Sequence, residues 1–89
     1  MKRFNQTNAE RIGNDLHINW NQIDLSEFTR GLNVELEHGS KDPQTNVTEN
    51  DGKLTGEIAW AHLKEIPDYY TRLDRMEKVA KAHFKKFSQ

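Results

Sequence analysis

Two short patterns carry side chains able to bind a metal. Glu35-Leu36-Glu37-His38 contains Glu-x-x-His, and His62-Leu63-Lys64-Glu65 contains His-x-x-Glu. Residues three apart share a helix face, so each pair presents a carboxylate beside an imidazole. Di-iron helical bundles use Glu-x-x-His in this way. Glu35, His38 and His62 are therefore candidate ligands, suited to zinc, or to iron where coordination positions stay open. A full di-iron set needs more inward carboxylates than the sequence places. Both histidines also have structural uses. His38 falls in the last turn of an expected helix, where an imidazole complements the dipole. His62 lies on an apolar stripe, the setting of a hydrogen-bonded core residue.

Other chemistry is poorly supported. There is no cysteine, and Ser26, Ser40 and Ser88 lie in no nucleophile-elbow context. Asp51-Gly52 and Thr55-Gly56 are isolated pairs and form no phosphate loop. The acids of the central loop lack EF-hand spacing. Nucleic-acid binding rests on Arg72, Arg75, Lys78, Lys81 and Lys85, which would meet phosphates in a salt-dependent way; the pI near 6.4 argues against it. Interaction with a protein is the remaining class. Trp20, Trp60, Tyr69 and Tyr70 are large aromatics for so small a chain, and exposed aromatics beside arginine make binding hot spots. A small core also needs aromatics, so some of these must pack inward.

Four helices are expected to position these residues, over about 8–16, 24–38, 51–65 and 67–87. Thr7-Asn8-Ala9-Glu10 reads as a capping box, with Ala9, Ile12, Gly13 and Leu16 following on one face. Asp24-Leu25-Ser26-Glu27 reads as a second box, with Ile23 and Phe28 at the spacing of a hydrophobic staple. Leu25, Phe28, Leu32 and Leu36 then recur at helical intervals. Gly31 invites close approach of another element, for which Trp20 is a candidate, and Gly39 is placed to end the helix after His38. Residues 39–50 lack a period and form a long loop, with Val47 its one apolar residue. The third helix starts at Asp51, or else at Thr55. Its stripe combines the row Leu54, Ile58, Ala61, Glu65 with the row Thr55, Ala59, His62, Ile66; Trp60 falls off it and is either exposed or covered by the loop. Pro67 is suited to open the fourth helix, whose apolar face comprises Tyr69, Leu73, Met76, Ala80, Phe84 and Phe87. Arg72, Arg75, Lys78, Lys81, Lys85 and Lys86 take the opposite arc.

The whole chain is read as one all-α domain, residues 1–89. Apolar residues make up 34% and charged residues 30%, so the core is lean and the stability margin thin. Net charge is −1 but segregated. Asp15 to Asp68 holds eleven acids and four bases, a net of −7, whereas Thr71 to Gln89 holds six bases and two acids, a net of +4. A basic last helix can complement its own acidic body or be offered to an acidic partner. No apolar run approaches a membrane span, and the polar N-terminus has no secretory core. A cytoplasmic protein is expected, in which the sequon at Asn46 is without meaning.

Several runs in combination are distinctive: Phe28-Thr-Arg-Gly-Leu-Asn-Val-Glu-Leu-Glu-His-Gly39, Thr45-Asn-Val-Thr48, Gly56-Glu-Ile-Ala-Trp-Ala-His-Leu63 and Ile66-Pro-Asp-Tyr-Tyr-Thr-Arg-Leu73. Together they resemble a family of short bacterial and bacteriophage domains of unknown function, over Ile18 to Glu77. The resemblance implies a helical domain in a bacterial or phage setting and supplies no activity. His17 departs from it, standing where glycine is expected. These observations lead to the expectation of a non-enzymatic interaction module, phage-encoded and acting on a host protein or on itself. A metal-binding helical domain is the alternative, and nucleic-acid binding the third.

Overall fold

The computed structural model describes residues 3–41 and 52–85. They form four α-helices, α1 (Gln6–Asp15), α2 (Leu25–Lys41), α3 (Gly52–Glu65) and α4 (Tyr69–Lys85), and no strand is present among the described residues. Residue 42 onward of the expected loop, with Val47, lies outside them, as do Asp51, Lys86 and Phe87.

The cap of α1 differs from expectation. Asn5, not Thr7, is the N-cap: its Oδ1 accepts from the Asn8 amide at 2.8 Å, and Asn8 Oδ1 accepts from the Asn5 amide at 3.1 Å. Asparagine caps at least as well as threonine, and the entry of the chain is fixed just upstream. The buried amide of Asn33 on α2 takes the Phe4 N–H on its Oδ1 at 2.8 Å and gives its Nδ2 to the Phe4 carbonyl at 2.9 Å. This clamp joins residues 29 apart in sequence.

The exit of α1 explains the irregular residue there. The Ile18 N–H bonds to the Gly13 carbonyl at 2.9 Å and the His17 N–H to the Asn14 carbonyl at 3.1 Å. This double closure is a Schellman motif, whose C′ residue must be left-handed and is usually glycine. His17 occupies it at φ 63°, the one described non-glycine residue with positive φ. A side chain there costs about 1–2 kcal/mol.

α2 is the central helix, packing on α1, α3 and α4. Its buried face is Phe28, Leu32 and Leu36, as the periodicity predicts. Asp24 caps its start, with Oδ1 accepting from the Glu27 amide at 2.9 Å, and Ile23 and Phe28 both enter the core. The helix continues through Gly39 to Lys41. Glycine weakens a helix by about 1 kcal/mol without ending it, and the observed end stands two residues before Pro43, whose ring disfavours helix in the residue preceding it.

The buried stripe of α3 is rotated from the expected one. It consists of Thr55, Gly56, Ala59 and Leu63, while Leu54, at 46% exposure, and Ala61 face outward. Small residues win this face because neighbours come very close. A Cβ on Gly56 would stand 2.7 Å from Ile12 Cγ2 and 3.1 Å from Leu16 Cδ1. The core is then Ala9, Leu16, Ile18, Ile23, Phe28, Leu32, Ala59, Leu63 and Tyr70.

Candidate functional site

α4 is fastened to the body at its start and leaves it thereafter. Pro67 does not open the helix; residues 67–68 make a turn, and helical bonding begins with Arg72 N–H to the Asp68 carbonyl at 3.1 Å. The Asp68 side chain does not cap the first turn. It accepts from Arg72 Nε at 2.7 Å, and that bond holds the Asp68 carboxyl below its ordinary pKa. The first amides of α4 are capped across the fold by Glu27 of α2. Glu27 Oε2 accepts from the Tyr70 and Thr71 N–H groups at 3.1 and 3.2 Å, and Oε1 accepts from Thr71 Oγ1 at 2.6 Å. A carboxylate placed there also complements the helix dipole. The expected reciprocal box within α2 is thus half made, because its glutamate serves another helix.

Tyr70 is the side chain this fastening drives inward. It is 1% exposed, a correction to its expected place on an interaction surface. Its ring lies against Gly31, where any Cβ would collide with it. Gly31 therefore accommodates Tyr70, and Trp20 instead covers Gly13. The Tyr70 hydroxyl donates to Glu35 Oε2 at 2.8 Å and lies 2.9 Å from His62 Nδ1. Burial first, and the Glu35 carboxylate second, push the phenol pKa far above its ordinary value. His62 is half-buried, stacked on Tyr69 with centroids 4.5 Å apart and planes at 10°.

Two of the three expected metal ligands do meet. His62 Nδ1 is 3.3 Å from Glu35 Oε2, with the Tyr70 hydroxyl bonded to both. The side chain of His38 lies outside the described part of the chain. Among the described residues no group of three or more potential ligands assembles. The observed constellation is a carboxylate–phenol–imidazole cluster at the junction of α2, α3 and α4, with Tyr70 as the member that sequence reasoning placed elsewhere. Gly31 on α2 signals a close approach, which the Tyr70 ring makes, but spacing along the chain does not say which ring makes it.

Beyond Leu73, α4 loses its expected packing. Met76 is 56% exposed, Val79 71% and Phe84 64%. With Ala80 and the His83 ring, which meets Phe84 edge-on at 4.9 Å, they form a continuous apolar surface bordered by Arg75. Periodicity foresees an apolar face along the whole helix; α2 covers only its first turns. Of the basic residues, Arg72 pairs with Asp68 at 2.7 Å and Lys78 with Asp74 at 3.1 Å. Arg75, Lys81 and Lys85 are exposed.

Both tryptophans pack against the core. Trp20 is half-buried, edge-on to Phe28 at 5.6 Å, with Nε1 donating to Asn14 Oδ1 at 2.8 Å. Trp60 is half-buried with the Lys64 ammonium 3.8 Å above its ring.

No helix of the described residues is long and apolar enough to cross a membrane. In comparison with known proteins, the sequence model of a family described as a protein of unknown function, DUF5661, matches residues 9–79. No curated protein and no solved structure matches the chain.

Proposed function

The chain belongs to the DUF5661 family of proteins of unknown function, and from the open face of its last helix we propose that it is a protein-interaction module. The observation that carries this reading is the exposed stripe Met76–Val79–Phe84 on a helix held firmly only at its other end. Contiguous exposed apolar surface on a small domain marks an interaction site. The occupant is an acidic amphipathic helix, which lays its apolar face on the stripe. Arg75, exposed and without a carboxylate partner among the described residues, borders it, and acidic residues of the partner meet it. Charge disfavours self-pairing: two α4 helices packed antiparallel on this stripe would bring the Arg75 edge of one against the Arg75 edge of the other. Where the chain is encoded by a phage, the partner is a host protein.

The test uses a designed peptide with leucines at helical a and d positions and glutamates elsewhere. Its addition is expected to shift the amide resonances of residues 76–84, with affinity that falls as salt rises. Val79→Glu, at a site already facing water, should leave the thermal midpoint unchanged and weaken binding at least about tenfold. Binding that is indifferent to Val79→Glu, or an equally tight complex with the lysine version of the peptide, would overturn the reading.

A further inference from the structure

Away from α4's open face, the connection between α1 and α2 and the end of α3 enclose a cleft of about 370 Å³. Its size suits one small molecule rather than a helix. Ile23 and Leu63, both buried, form its floor, and the Trp60 indole forms a wall. Lys64, whose ammonium stands over Trp60, lines it too. Among the described residues no carboxylate pairs with Lys64, and none lines the cleft. The side chains of His17 and Gln22 reach the same space and have no hydrogen-bond partner among the described residues.

An apolar floor, an aromatic wall, a cation with no carboxylate partner and exposed polar groups at the rim together define a ligand chemistry. The apolar surfaces take a flat hydrocarbon body, and the cation takes an anionic end. His17 presents its imidazole at the mouth of the cleft. Its backbone is left-handed at φ 63°, a conformation that glycine would adopt without strain. The Schellman closure of α1 sets that backbone, and glycine at this position would remove an imidazole from the mouth of the cleft.

We propose that this cleft binds a small aromatic carboxylate. The ring lies against Trp60 over Ile23 and Leu63. The carboxylate pairs with the Lys64 ammonium, and the Gln22 amide and His17 imidazole donate to its free edge.

The full chain is titrated with 2-naphthoate and, separately, with the neutral 2-naphthylmethanol, following heat and the indole N–H resonances. The acid is expected to bind more tightly than the alcohol and to move the Trp60 indole signal while leaving that of Trp20 in place. Lys64→Gln should weaken naphthoate binding at least about tenfold and leave the alcohol unaffected, whereas Lys64→Arg retains the acid. Lys64 is exposed, so both variants should keep the circular dichroism of the parent. His17→Gly should weaken the acid while raising thermal stability. An unmoved Trp60 signal, equal affinity for acid and alcohol, or undiminished binding by Lys64→Gln would each overturn the proposal.

Discussion

Tyr70 concentrates more of this molecule's physics than any other side chain. Burying its ring contributes about 2–3 kcal/mol, more than the roughly 1 kcal/mol that Gly31 withholds from α2. Its hydroxyl gives its proton to Glu35, so its oxygen accepts from His62 Nδ1, which makes that nitrogen the protonated one in the neutral ring. The raised phenol pKa has a definite linkage. In the unfolded chain the phenol ionises at about pH 10, whereas in the fold it remains neutral well beyond that. Stability from this group is therefore complete below about pH 10 and lost as the pH rises above it. Tyr70→Phe should destabilise the protein by about 1–2 kcal/mol at neutral pH, because Glu35 loses its donor. The same variant should flatten the alkaline decline, so that the difference from the parent shrinks between neutral pH and pH about 11. Urea denaturation across that range measures both; a difference that grows with pH would contradict the assignment.

At the level of elements, the fourth helix illustrates how capping can be non-local. Asp68 stands immediately before α4, where an aspartate ordinarily caps, yet its carboxylate pairs with Arg72 in the first turn of the helix. The amides of Tyr70 and Thr71 are satisfied by Glu27, 43 and 44 residues earlier in the chain. One carboxylate thus ties α2 to α4 while Asp24 caps α2. Glu27→Ala should destabilise the fold by about 1–2 kcal/mol, the range for losing a cap. Amide exchange at Tyr70 and Thr71 should accelerate more than at Leu32 or Leu63. A uniform acceleration across all four sites would mean that Glu27 supports the fold without specifically holding this junction.

For the whole molecule, stability should be unevenly distributed. α1, α2, α3 and the first turns of α4 share the core; the rest of α4 is a helix with water on most of its surface. A few turns of isolated helix are marginal in water, so residues 76–85 should exchange orders of magnitude faster than the buried face of α2. Protection there equal to that of α2, at every protein concentration, would mean that the stripe is already covered within the monomer.

Much of the architecture is local physics and therefore readable along the chain. Helical periods predict four helices, Asp24 and its neighbours mark where α2 starts, and the Phe28–Leu32–Leu36 face is correct because spacing alone defines it. Glycine's absence at residue 17 is visible, too, as a departure from a family pattern, although only the Schellman closure of α1 gives the physical reason. What faces each stripe is decided elsewhere. The same periodicity that buries Leu36 leaves Phe84 at 64% exposure, because a period says which residues share a side and not whether another helix lies opposite. Asn5 displaces Thr7 because Asn33 grips Phe4 from α2. Tyr70 turns inward because Gly31 leaves room for a ring. Each outcome depends on a contact between residues about 30 to 40 positions apart, and those distances close only when the chain folds.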